Sequence, residues 1–275
     1  MAKSKVLSLE EAAALVRDGD TLSLGGNVLH RSPLAFCREL IRQNRSGLKL
    51  VKTAGAHDVD ILCSAAAVAS VDAGFIGYET EYGLAMHYRK AVEGGVVKAN
   101  EHACYTVICA LRASQYGVPF MPVRGLVYGD LIEKNDYFKV IEDPFSEEKI
   151  TVVKALRPDY AILHVQEADE YGNARIVGPK YEDVLLSRSA KKVIITCERL
   201  IHTDNFARQP ELTDIPGFLV EAVVLAPNGA APGTCAGRYD LDRKSLEEFK
   251  GLKTKEQIID YVDKYSRKDR GVSRF

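Results

Sequence analysis

One order recurs along this chain and limits its folds more than any other feature: a short apolar run, a turn closed by glycine, then a segment with helical periodicity. Thr21-Leu22-Ser23-Leu24 runs into Gly25-Gly26-Asn27, and Ser32-Pro33 then offers an N-cap and a first-turn proline to a helix with Leu34, Cys37 and Ile41 on one face. Residues 48–52 repeat the unit, ending at Thr53-Ala54-Gly55 before Ile61, Leu62 and Ala65 at helical spacing. Successive units of this kind predict a parallel sheet, because parallel neighbours need a crossover that a helix supplies. The β-branched runs at 160–165, 192–196 and 222–225 suit strands covered on both faces.

The other segments fill in around this plan. Ser8 with Glu11 forms a capping box before residues 12–16, and Gly19 is placed to end that helix. Residues 71–76 and 96–99 read as strands, 84–92 and 101–116 as helices, the latter on Cys104, Val107, Ile108 and Leu111. Pro119 and Pro122 enforce an extended stretch, and residues 125–150 read as an irregular, lid-like insertion. From residue 240 the chain turns polar and helical, with Thr254 and Gln257 as a second capping box and residues 267–275 as a charged tail. The expectation is one open α/β domain over residues 1–275, a mainly parallel sheet with flanking helices.

Composition removes several function classes. The 37 basic and 38 acidic residues leave a net charge of -1, so no whole-chain field favours nucleic acid or an anionic membrane. No apolar run reaches the roughly 18 residues of a membrane span, and the amino terminus lacks the apolar middle of a secretion signal. The six cysteines are dispersed with no CxxC pair, as expected of reduced thiols in a cytoplasmic protein.

Spacing alone carries the chemistry only a short way. Gly25-Gly26 sits between a strand end and a helix start, where backbone N–H groups can face an anion or a developing oxyanion, although a tight turn explains two glycines equally well. The loop lacks GxGxxG and GxxxxGK, and no GxSxG elbow occurs, which disfavours nicotinamide, ATP and serine-hydrolase chemistry. The six histidines show no i, i+4 pair, so no metal site is expected. Cys63 and Cys104 fit a helix core better than a nucleophile. Glu101-His102 could do acid/base work or could cap a helix; Glu79 and Glu81 read as a solvated turn; Arg31 could grip a carboxylate.

Several segments together carry a resemblance. They are Gly25-Gly26 with Arg31 and Pro33-Leu34-Ala35; Gly117-Val118-Pro119-Phe120-Met121-Pro122; His164-Val165-Gln166-Glu167-Ala168-Asp169 with Tyr171-Gly172-Asn173; and Ile215-Pro216-Gly217-Phe218-Leu219-Val220 with Ala226-Pro227. In this order they resemble the α subunit of family I coenzyme A transferases, the glutaconate CoA-transferase subgroup in particular. The resemblance implies the open α/β CoA-transferase fold and a homologous β subunit, usually in an α2β2 assembly. It also implies a CoA thioester and a carboxylic acid as substrates, with no permanently bound cofactor.

In that family a glutamate of the β subunit captures the acyl group. The corresponding turn here is Thr53-Ala54-Gly55-Ala56, which holds no acid, so the chain is expected to be inactive alone. Carried over by resemblance, Gly25, Gly26 and Asn27 lie near the acyl oxygen and Arg31 meets an acid substrate. Related two-subunit proteins are acyl-CoA decarboxylases or ring-opening CoA-thioester hydrolases, and Glu101 matches an acid that the latter use from their α subunit. A non-catalytic acyl-CoA-binding homologue is the third alternative.

Overall fold

The strands in the middle of the sheet are apolar in both directions, and their alternate side chains leave on opposite faces. In the computed structural model, which describes residues 3–127 and 129–270, Leu50, Ile162 and Ile194 enter one buried cluster while Val51, Leu163 and Ile195 enter another. The chain begins with α1 (Leu9–Ala14), closed by the expected Ser8/Glu11 box. It continues through β1 (Thr21–Leu24), α2 (Leu34–Arg42), β2 (Leu48–Gly55), α3 (His57–Ser64), β3 (Val68–Ile76), α4 (Glu79–Tyr82), α5 (Met86–Glu93), β4 (Lys98–Glu101) and α6 (Cys104–Gln115). After β5 (Phe120–Val123), α7 (Leu131–Lys134), β6 (Phe138–Glu142) and β7 (Lys149–Lys154) come β8 (Tyr160–Ala168), β9 (Ala174–Arg175), α8 (Asp183–Ser189), β10 (Lys192–Leu200), α9 (Asp204–Arg208) and β11 (Val220–Leu225). Three helices finish the described chain: α10 (Arg243–Gly251), α11 (Lys255–Lys264) and α12 (Ser266–Arg270).

The main sheet runs β11-β10-β8-β1-β2-β3-β4, all neighbours parallel, with the two-residue β9 antiparallel on β8. This is the open, mainly parallel α/β architecture expected. The strand order reverses at β1, which pairs with β2 on one side and β8 on the other. At such a switch the connections leave to opposite faces, opening a crevice at the carboxyl ends of the strands. Gly25 and Gly26 stand at that point.

Two elements depart from the sequence reading. The stretch 125–150, read as irregular, contributes β6 and the start of β7 to a three-stranded antiparallel sheet ordered β5-β7-β6. Phe138 is its one fully buried residue in β6, and the remainder of that strand is exposed, so no alternation marks it in sequence. Residues 267–270, read as tail, belong to α12, where Asp269 pairs with buried Arg38 through two bonds of 2.8 and 2.7 Å. The remaining tail, 271–275, lies outside the described residues.

Candidate functional site

The glycine loop is built against Asp183. Gly26, at φ +70°, donates its N–H to Asp183 Oδ1 at 3.1 Å, and Gly25 donates to the Ile162 carbonyl at 2.9 Å. A Cβ on Gly25 would come under 3.0 Å from the Asp183 carboxylate, and one on Gly26 equally close to the His30 carbonyl. Two glycines are therefore required by close packing and by left-handed backbone, and neither amide is open to an acyl oxygen. Gly25 and Gly26, expected near the acyl oxygen, thus have their amides turned to Ile162 and Asp183 in this structure.

Arg31, expected to meet an acid substrate, stands beside the same carboxylate. Only 2 % exposed, it binds Asp183 Oδ2 at 2.9 Å, the His164 carbonyl at 2.8 Å and the Pro179 carbonyl at 3.0 Å. Burying Asp183 beside the loop demands a charge partner, and Arg31 is that partner. Asn27 exchanges backbone bonds with His30, and among the described residues its half-buried side chain has no hydrogen-bond partner. Asn27 is thus the loop's available polar side chain. The following residue, Val28, bridges to Gly55, which brings the loop against the end of β2.

Beneath the loop lies Lys52, which nothing in its sequence context singles out. Its Nζ donates to the carbonyls of Leu24, Gly25 and Gly26 at 3.1, 2.6 and 3.0 Å and pairs with Asp58 at 2.9 Å. Asp58 also accepts from the Ser32 hydroxyl and the Ala56 amide, so the carboxyl ends of β1 and β2 are tied together. Beside it, burial and the nearby Arg38 and His87 hold the His57 ring down at about 3, and it stays uncharged.

Glu101 ends β4 and does not open a helix: the N-cap of α6 is Ala103, whose amide donates to the Thr106 hydroxyl at 3.0 Å. Nor does Glu101 pair with His102. The imidazole turns inward to Asp72 at 3.3 Å and Thr106 at 3.4 Å, while Glu101 is exposed. Glu101 lines a cleft of about 300 Å³ together with Phe75, Ile76, Tyr88, Asn100 and Leu131. Asn135, buried after α7, donates to the Glu101 carbonyl at 2.6 Å and so fastens the edge of the small sheet to this cleft. Burial, with Cys63 and Glu101 nearby, raises the Tyr88 hydroxyl to about 12, leaving it a donor at neutral pH.

Between the loop and the cleft stand residues that sequence reasoning missed. Thr53 donates its hydroxyl to Glu182 at 2.9 Å, and the Cys104 thiol donates to the Thr53 carbonyl at 3.3 Å. Cys104 is exposed where a core position was expected, but burial and Glu182 push its thiol up, which keeps it protonated. Behind β8, His164 donates to Glu198 at 2.8 Å and shares a bond with Thr196 at 2.9 Å; Tyr239 and the Asn228 amide also donate to Glu198. His164, Glu198 and Cys235 place possible ligand atoms within 4.8 Å of one another. Both His164 ring nitrogens are engaged in hydrogen bonds here, and burial pushes the Cys235 thiol up to about 12.

Residues 6–226 match the family model for coenzyme A transferase. The chain belongs to the coenzyme A transferase family. It is 33 % identical to the A subunit of glutaconate CoA-transferase from Acidaminococcus fermentans over 93 % of this chain and 85 % of that one. The crystal structure of that transferase superposes at a TM-score of 0.87, with 31 % identity over 97 % of this chain and 94 % of that one. The decarboxylase AibA/AibB, as a variant, superposes at 0.86 with 30 % identity over 96 % and 99 %. An uncharacterised protein of Archaeoglobus fulgidus is 37 % identical over 95 % of this chain, which spans 59 % of that protein's length. Among the described residues no helix is long and apolar enough to cross a membrane.

Proposed function

We propose that this chain is the α subunit of a heteromeric acyl-CoA:carboxylate CoA-transferase, one domain over residues 1–275, working in the cytoplasm with a homologous β subunit in an α2β2 assembly. The observation that carries the reading is likeness to one subunit of a known transferase over 93 % of the chain together with an acid-free Thr53-Ala54-Gly55-Ala56 turn at the end of β2. A β-subunit glutamate oxygen attacks the thioester carbonyl, the C–S bond breaks, and CoA leaves as thiolate from an acyl-glutamyl anhydride. The thiolate then attacks the glutamyl carbonyl and releases the free acid, and a second acid runs the steps in reverse. CoA is a substrate throughout.

The α chain contributes a wall of the site. Asn27 donates to the developing oxyanion, a role supported by the engagement of the Gly25 and Gly26 amides elsewhere. Glu101 faces the acyl group from its cleft. A second reading, an acyl-CoA decarboxylase or ring-opening hydrolase subunit with Glu101 as acid/base, draws on the exposure of that carboxylate and the likeness to AibA/AibB. A non-catalytic acyl-CoA-binding homologue is third.

The deciding experiment supplies the purified two-chain complex with an acyl-CoA and a free acid. Transfer of CoA to the acid, and inactivation by hydroxylamine only after acyl-CoA is added, is expected. Release of CO2 or a ring-opened product without an acceptor would replace the transferase with the second reading, and binding without turnover with the third.

A further inference from the structure

Two carboxylates of this chain, Glu182 and Glu101, stand at the carboxyl edge from β2 to β4. Glu182 sits on Thr53 and Glu101 lines the cleft beyond it. Two cations at the ends of β1 and β2 are occupied: Arg31 by Asp183 and two carbonyls, Lys52 by Asp58 and three carbonyls. Both are buried, with side chains 3 % and 1 % exposed. The described residues lining the cleft include neither Lys nor Arg, and its histidine, His102, is held by Asp72. Phe75, Ile76 and Leu131 supply apolar walls, while the Tyr88 hydroxyl is a neutral donor. At about 300 Å³ the cleft lies at the small end of ligand sites.

From these placements we propose that the acyl group served by this chain is short and uncharged: the CoA ester of a monocarboxylic acid, its chain lying between Phe75 and Leu131 with Glu101 excluding a second carboxylate. This deepens the transferase reading and rests on it for the location of the thioester. A terminal carboxylate brought beside Glu101 would lose hydration without gaining a partner, and like charges so placed are costly.

The test is calorimetric binding of hexanoyl-CoA and glutaryl-CoA to the two-chain complex, repeated with Glu101→Gln and Leu131→Trp. Hexanoyl-CoA is expected to bind tighter by about tenfold or more, the scale of one unfavourable charge contact. Glu101→Gln should narrow that ratio by tightening glutaryl-CoA, and Leu131→Trp should weaken hexanoyl-CoA. Equal or tighter binding of glutaryl-CoA, an unchanged ratio in Glu101→Gln, or failure of both esters to bind would overturn the proposal. CoA exchange measured on the same samples separates the two readings. Preferred hexanoyl-CoA binding without transfer to an acid keeps the substrate class and removes the transferase; transfer confined to dicarboxylates does the opposite.

Discussion

His57 starts α3 at 1 % exposure, its ring edge-on to Phe249 with centroids 4.4 Å apart. Burial first, then Arg38 and His87, holds its pKa at about 3 against an ordinary 6.5. The unfolded chain therefore binds a proton that the folded chain refuses, and stability falls as pH drops from about 6.5 toward 3. Glu198 acts in the same direction lower down. Burial would raise its carboxyl, but His164, the Asn228 amide and Tyr239 outweigh that and hold it below the usual 4.5, so its contribution is lost as pH falls below that value. Denaturant midpoints measured across this range should show His57→Leu flattening the upper part of the acid limb, with the Glu198 part intact. Glu198→Ala should cost about 3–5 kcal/mol at neutral pH, because His164 and Tyr239 lose a buried charged acceptor.

Residue roles were the least legible part of the sequence. Glu101 and His102 are adjacent in the chain, yet successive residues on extended backbone point apart, and Glu101 is exposed while His102 is buried against Asp72. Arg31 looked available because its partner, Asp183, is 152 residues away. Lys52 and Asp58 are six positions apart but meet only because the chain folds back at Gly55.

At the scale of elements, the Lys52–Asp58 pair joins β1, β2 and α3 at the strand ends. Lys52→Met should lower stability by about 3–5 kcal/mol, since Asp58 is left as an unpaired buried charge. Lys52→Met combined with Asp58→Asn should recover part of that loss in thermal or denaturant unfolding. At the other end of the chain, truncation before Ser266 removes Asp269 from buried Arg38 and Arg42, and a melting temperature lowered by several degrees is expected. Capping boxes at Ser8 and Thr254 were readable because their donors and acceptors are three residues apart. β6 was not readable, because a strand exposed along most of its length shows neither alternation nor an apolar run, and its pairing with β7 appears only in the fold.

The whole molecule follows from the repeated strand, turn and helix unit, which was legible from the first residues. Parallel pairing, crossover helices and a crevice where the order reverses all come from that repeat. What the repeat could not disclose is that Asp183 and Arg31 pair beside the glycine loop at β1, and that Cys104 and Glu101 are the exposed groups further along the edge. That edge carries carboxylates of its own, and on the transferase reading none of them is the acyl acceptor. The most direct measurement is to treat the two-chain complex with acyl-CoA and hydroxylamine and to locate the resulting hydroxamate by peptide mass spectrometry. The mark is expected on a glutamate of the partner chain, with every peptide of this chain unmodified. A hydroxamate at Glu101 or Glu182, or turnover by this chain free of any partner, would contradict it.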